Sequence, residues 1–297
     1  MKLASLLRVG GLAALLASHA ALTQAQQAQQ ATVGAPTLSL GVQADAAIPI
    51  KGIVNMDAAG GGAGGMMYPA PNLIGLMVAV ATHGVLADSA QRAERARIEA
   101  EADKVAVSYR AASAGFRHQH LLQSVSAMPG SLASGAPLVS ATHVPQDHPV
   151  LLASPVYSVS QDERGLVLDA AMEWRRPGQT EPVTMQARAV TQPLEAGDAG
   201  KAWLQEGGAR FRQEAATLLA HAIDASFRQL SASSATSSAA EQQTVRYWVG
   251  GTKRIERAAP LPSGCGYRAY RTLRGEILVV PSGTTDGCQP LAASEQR

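Results

Sequence analysis

The residue pattern predicts an α+β protein: a long helix, a three-stranded antiparallel meander, a second long helix, and a small C-terminal β unit stapled by a disulfide. Three observations carry this expectation. Apolar residues recur at three- and four-residue steps after residue 88 and again over 199–230. Between those stretches, three runs alternate apolar with polar residues and are separated by turn signals. The last part of the chain alternates once more and holds both cysteines, Cys265 and Cys288.

The first helix starts at Asp88-Ser89, residue types that cap an N-terminus. Ile98, Ala102, Val105, Tyr109, Ala112 and Phe116 then share one face, while Arg92, Glu94, Arg95, Glu99, Glu101 and Lys104 form a mixed-charge opposite face. Pro129-Gly130 ends the element, with Gly115 an earlier point of breakage. The meander follows over 151–160, 166–174 and 183–189. In its middle run Leu166, Leu168, Ala170, Met172 and Trp174 face one way, and Val167, Asp169, Ala171 and Glu173 the other. One apolar face needs a cover. The second helix supplies it through Leu204, Phe211, Ala215, Leu218, Ala222 and Ile223.

Domain organisation follows from composition shifts. Residues 1–25 read as a signal peptide: Lys2 and Arg8, then an uncharged run from Val9 to Leu22, then Thr23-Gln24-Ala25 as a small-residue cleavage triplet. Residues 26–57 form a flexible segment with a short strand over 48–54. Residues 58–87 carry no formal charge and open with a glycine run. Residues 88–232 are the helix–meander–helix domain, 233–243 a Ser/Ala linker, and 244–297 the small basic β unit. Within the uncharged segment, Pro69, Pro71, Asn72 and His83 interrupt the apolar run, which favours a buried helix over a membrane span for 66–86. Membrane contact through 66–86 is the alternative.

Composition sets limits on function. With 46% hydrophobic residues the chain can bury a core, and a formal net charge of +2 does not suit nucleic-acid binding driven by bulk charge. Two cysteines in an exported chain are most simply one disulfide, Cys265–Cys288, worth about 3 kcal/mol for a loop of that size. No nucleophile elbow, His-Glu-x-x-His or phosphate-loop ending is present. His118, His120, His143 and His148, with Asp147, are the one cluster to weigh for a metal. His118 and His120 are two apart and point away from each other on a helix, so no metal, cofactor or catalytic residue is assigned. The best-marked surface is C-terminal. Arg246, Trp248, Arg254, Arg257, Tyr267, Arg268, Tyr270 and Arg271 interleave cations with aromatics, a combination suited to contact surfaces.

The order of signal peptide, glycine-rich apolar stretch and charged helix, with an ending of Cys265-Gly266-Tyr267-Arg268 and Thr272-Leu273-Arg274-Gly275-Glu276, resembles secreted proteins of proteobacteria with no assigned activity. The helix–meander–helix order also resembles small α+β modules of envelope lipoproteins. The expected function is a non-catalytic periplasmic or secreted binding or assembly protein. Its partner is another envelope protein or an anionic envelope polymer. A hydrolase acting on envelope material and a protein tethered by 66–86 are the competing expectations.

Overall fold

Residues 150–190 hold the longest alternating runs, and they build the middle of a sheet that continues on both sides. The computed structural model describes residues 38–43, 46–54, 92–232 and 241–283. Among these, ten strands and four helices form: β1 (Ser39–Val42), β2 (Ile50–Gly52), α1 (92–103), α2 (Ala106–Ala112), α3 (His118–Ser126), β3 (Leu138–Ser140), β4 (Val150–Val159), β5 (Leu166–Arg175), β6 (Val183–Val190), α4 (Ala199–Ala232), β7 (Gln243–Val249), β8 (Thr252–Gly264), β9 (Tyr267–Thr272) and β10 (Ile277–Pro281). They form one mixed sheet in the order β3-β1-β4-β5-β6-β10-β9-β8-β7, with β2 also paired to β4.

This corrects the predicted architecture. The three central strands pair antiparallel, but they are not a freestanding meander. β10 joins β6 in parallel, Ile277 opposite Ala187, so the C-terminal strands extend the same sheet and make no separate β unit. Periodicity reports which face a strand buries and carries no signal for so distant a neighbour. Residues 39–42, expected to be part of a flexible segment, form a fully buried strand between β3 and β4. The predicted first long helix is three shorter ones, interrupted at Lys104-Val105 and at 113–115. The buried stripe survives those breaks, since Ala102, Tyr109 and Phe116 all face the core. The second helix is also interrupted: Gln205, Glu206, Gly207 and Gly208 leave helical geometry, with Glu206 left-handed at φ 52°. The paired glycines make that break cheap.

The helices cover one face. Phe211 of α4 meets Tyr109 and Tyr157 edge-on, with centroids at 5.6 and 6.4 Å. The Tyr157 hydroxyl donates to the Ala215 carbonyl at 2.7 Å, satisfying a polar atom deep in the core. The opposite face is covered by the chain itself. β9 pairs with β8 only from Ala258 onward, and the outer half of β8 folds back with β7. Val245, Tyr247 and Val249 thereby pack with Val167, Val190, Leu278 and Val280 in a second apolar cluster. The tip of this β7–β8 hairpin is fastened to the β4–β5 turn, where Gly251 N–H donates to Asp162 Oδ2 at 2.6 Å. The same turn holds the helices: Glu163 accepts from the Tyr109 hydroxyl at 2.8 Å, and its carbonyl accepts from Trp203 Nε1 at 2.6 Å.

The signal-like residues 1–25, the uncharged segment 58–87, most of the linker and Cys288 lie outside the described residues. No helix among the described residues is long and apolar enough to cross a membrane.

Candidate functional site

A groove of about 1390 Å³ opens where the folded-back hairpin stands away from the first half of the sheet. Its floor is the polar side of β4–β6, with Ser158, Val167, Asp169 and Arg188. One wall is β2 with α1 and α2, and the other is the hairpin, through Tyr247, Arg254 and Glu256. Alternation places these side chains together: Asp169 sits directly opposite Arg188, and Tyr247 directly opposite Arg254.

The polar groups on the floor and walls are organised in pairs. Arg188 Nε donates to Asp169 Oδ1 at 2.7 Å. Burial works against charge on Arg188, but the hydrogen bond and charge of Asp169 outweigh it and hold the guanidinium above its ordinary pKa. The Tyr247 hydroxyl donates to Glu256 Oε2 at 3.2 Å. Burial first, and the Glu256 charge second, push Tyr247 up to about 12, so its hydroxyl keeps its proton at neutral pH. On the far wall Gly52 N–H donates to Asp103 Oδ1 at 3.0 Å, and Arg110 Nε donates to the Ile50 carbonyl at 2.8 Å. Asp103 and Arg110 also pair with each other, so together they seal the outer edge of β2. The Gly52 hydrogen bond is the largest of the effects that hold Asp103 below its usual carboxylate range.

The arrangement can hold a ligand with charged and apolar parts. Fixed donors and acceptors line it, and Val167, Val249 and Ile53 supply apolar surface. Among the described residues no three of His, Cys, Asp or Glu gather where a metal could bind.

The sequence-predicted binding residues do not form one surface. Register places Arg246, Trp248 and Arg257 on one face of the β7–β8 hairpin and Arg254 on the other, and of these four Arg254 and Arg257 reach the groove. Tyr267 is buried in the main core and Tyr270 in the second cluster, so two of the three aromatics of the expected patch turn inward. Arg268 and Arg271 project from opposite faces of β9. The histidines separate as well. His118 is buried, its Nε2 bonded to the Ala153 carbonyl at 2.9 Å while Nδ1 accepts from Gln43 N–H at 3.1 Å, a neutral ring tying α3 to the sheet. Burial lowers its pKa. His148 pairs with the adjacent Asp147 at 2.8 Å, and His120 bonds locally at the Gly115 carbonyl. Cys265 is exposed in the β8–β9 turn.

Sequence reasoning missed Asp169, Arg188, Tyr247 and Glu256 as a group, having found a cover only for the opposite face of that strand. A signal was available: Val167 and Val190 on the polar side, and the alternating Val245, Tyr247 and Val249, each need an apolar counterpart. The chain matches no protein-family model, no curated protein and no solved structure.

Proposed function

We propose that this chain is a non-catalytic binding protein of the bacterial cell envelope, and that the groove between its folded-back hairpin and its sheet is where the ligand lies. The observation that carries the reading is the groove itself. It is a roughly 1390 Å³ hollow whose floor pair, Asp169 and Arg188, is oriented by cross-strand register. Such preorganised polar groups beside apolar surface are the usual make-up of a binding site. The size exceeds what a drug-sized ligand needs and suits an extended chain, a peptide or a polymer. Location in the envelope rests on the N-terminal pattern of Lys2, Arg8 and the uncharged run after them.

The test is amide NMR of the labelled protein with muropeptides, lipopolysaccharide and a mixed-sequence decapeptide pool added in turn. At least one should shift the amides of Ser158, Val167 and Val249 in a saturable way. Arg188→Ala and Tyr247→Ala should abolish the shifts, and no added compound should be consumed. Shifts confined to other surfaces would remove the groove from the reading. Turnover of a muropeptide would replace binding with hydrolysis.

A further inference from the structure

The groove's hairpin wall includes an unsealed strand edge, whereas the opposite wall is sealed. β9 leaves β8 at the Ala258–Thr272 pair. From Arg257 back towards Thr252, β8 pairs with β7 on one side only, and no backbone partner occupies its other side among the described residues. An unpaired edge of this kind is a template for another strand. Natural sheets usually blunt such edges, as Asp103 and Arg110 do for β2. Here Lys253, Ile255 and Arg257 share one face of the edge, and Arg254 and Glu256 the other. Ile255 and Leu273, each 65% exposed, are among the few large apolar side chains left in solvent, and both line the groove. Arg257 and Arg274 stand beside them, exposed and with no ion pair among the described residues.

From these features we infer that an extended segment of a partner protein, carrying apolar and acidic residues in turn at every second position and so on one face, adds as a strand to the free edge of β8 at 253–257, where Ile255 and Arg257 share a face. Its backbone pairs with the β8 edge. Its apolar side chains lie on Ile255 and Leu273, and its carboxylates meet Arg257 and Arg274. In this mode main-chain hydrogen bonds supply affinity and alternate side chains supply selectivity. The inference rests on the groove being a binding site and names the class of its occupant.

The probe is a fluorescein-labelled, end-blocked octapeptide with valine and glutamate taking turns at every second position and serine between them, titrated into the full chain and followed by anisotropy. Binding should saturate and weaken as salt is raised. N-methylating one alternate set of amides should abolish it, while methylating the other set should be tolerated, because only one set faces the edge. The double variant Arg257→Glu/Arg274→Glu should lose about tenfold or more in affinity, the scale of two close charge pairs reversed. A peptide with lysine in place of glutamate should restore binding to that variant. Both arginines are exposed, and an unchanged circular dichroism spectrum checks that the variant folds. Equal binding of both N-methylated peptides overturns strand addition. Absence of binding overturns the proposal, as does binding of polyphosphate where the peptide fails. Concentration-dependent sedimentation that the double variant relieves assigns the edge to a second copy of this chain and also overturns it. If muropeptides or lipopolysaccharide shift the groove amides and this peptide does not, the binding function stands and the strand proposal falls. If nothing shifts them, both fall.

Discussion

A buried and a half-buried titratable group on one helix, Asp224 and His221, should pull stability in opposite directions over the same pH range. Asp224 is 5% exposed and accepts from Leu132 N–H at 2.7 Å and from the Ser131 hydroxyl at 3.2 Å, which ties the loop after α3 to α4. Burial raises its pKa from 3.8 to about 6, against the lowering effect of those bonds and of Arg228 on the same helix. His221 lies on the Tyr267 ring, centroids 4.8 Å apart, and burial lowers it from 6.5 to about 4. Tyr267 faces both, with Cys265 beside it. For Asp224 the folded state binds more protons than the unfolded between about pH 4 and 6. Its contribution is therefore complete below its unfolded pKa and is lost as pH rises through the folded one. For His221 the unfolded state binds more protons, so its contribution is complete above pH 6.5 and is lost as pH falls towards 4. Shifts of roughly two units each correspond to about 3 kcal/mol, of opposite slope. In the wild type the two largely cancel. Asp224→Asn keeps an acceptor but removes the titration, so relative to wild type its stability should climb by about 3 kcal/mol between pH 4 and 6. His221→Gln should fall relative to wild type by a similar amount over the same range. Urea unfolding at pH 4.5, 5.5 and 6.5, followed by fluorescence of the buried Trp174 and Trp203, measures both. Difference curves that are flat, or that slope the other way, would refute the assignment of buried titration to these two groups.

Three further outcomes follow from the geometry. Asp162→Ala removes the acceptor for Gly251 N–H, so amide exchange over 249–252 should accelerate while the helix-covered core is unaffected. Gly52→Ala places a methyl group 1.7 Å from the Ala102 carbonyl oxygen, so β2 and α1 must separate; a loss of about 2–3 kcal/mol is expected in urea titration. Cys265 and Cys288 should be bonded to each other in exported protein, so thiol titration of denatured, unreduced material should find no free thiol.

Local periodicity was legible because each strand and helix must hide one face whatever its neighbours are. Leu166, Leu168, Ala170, Met172 and Trp174 alternate in sequence and all point into the main core. Ala102, Tyr109 and Phe116 kept their shared burial across two helix breaks because packing, more than helical continuity, sets which side chains turn inward. The C-terminal binding patch failed for a related reason. Arginine and tyrosine neighbours in sequence fall on alternate sides of a strand, so Tyr267 and Tyr270 went to two different interiors while Arg268 stayed outside.

The sequence by itself determined which face each run over 150–190 buries and where the turns between them lie, and it marked the apolar stripe over 199–230 without the break at 205–208. These depend on residues a few positions apart. Tertiary structure alone decided that β10 lies in parallel beside β6, that the buried strand at 39–42 fits between β3 and β4, and that the β7–β8 hairpin folds back to form a groove. Each is a contact between residues far apart in the chain, chosen because it buries surface that no local partner can cover. The groove residues Asp169, Arg188, Tyr247 and Glu256 came together as a consequence of that choice. The spacing showed only that Val167 and Val190, and Val245 to Val249, each needed an apolar counterpart; Asp169 and Glu256 come to line one groove only after the sheet has closed over its own second face.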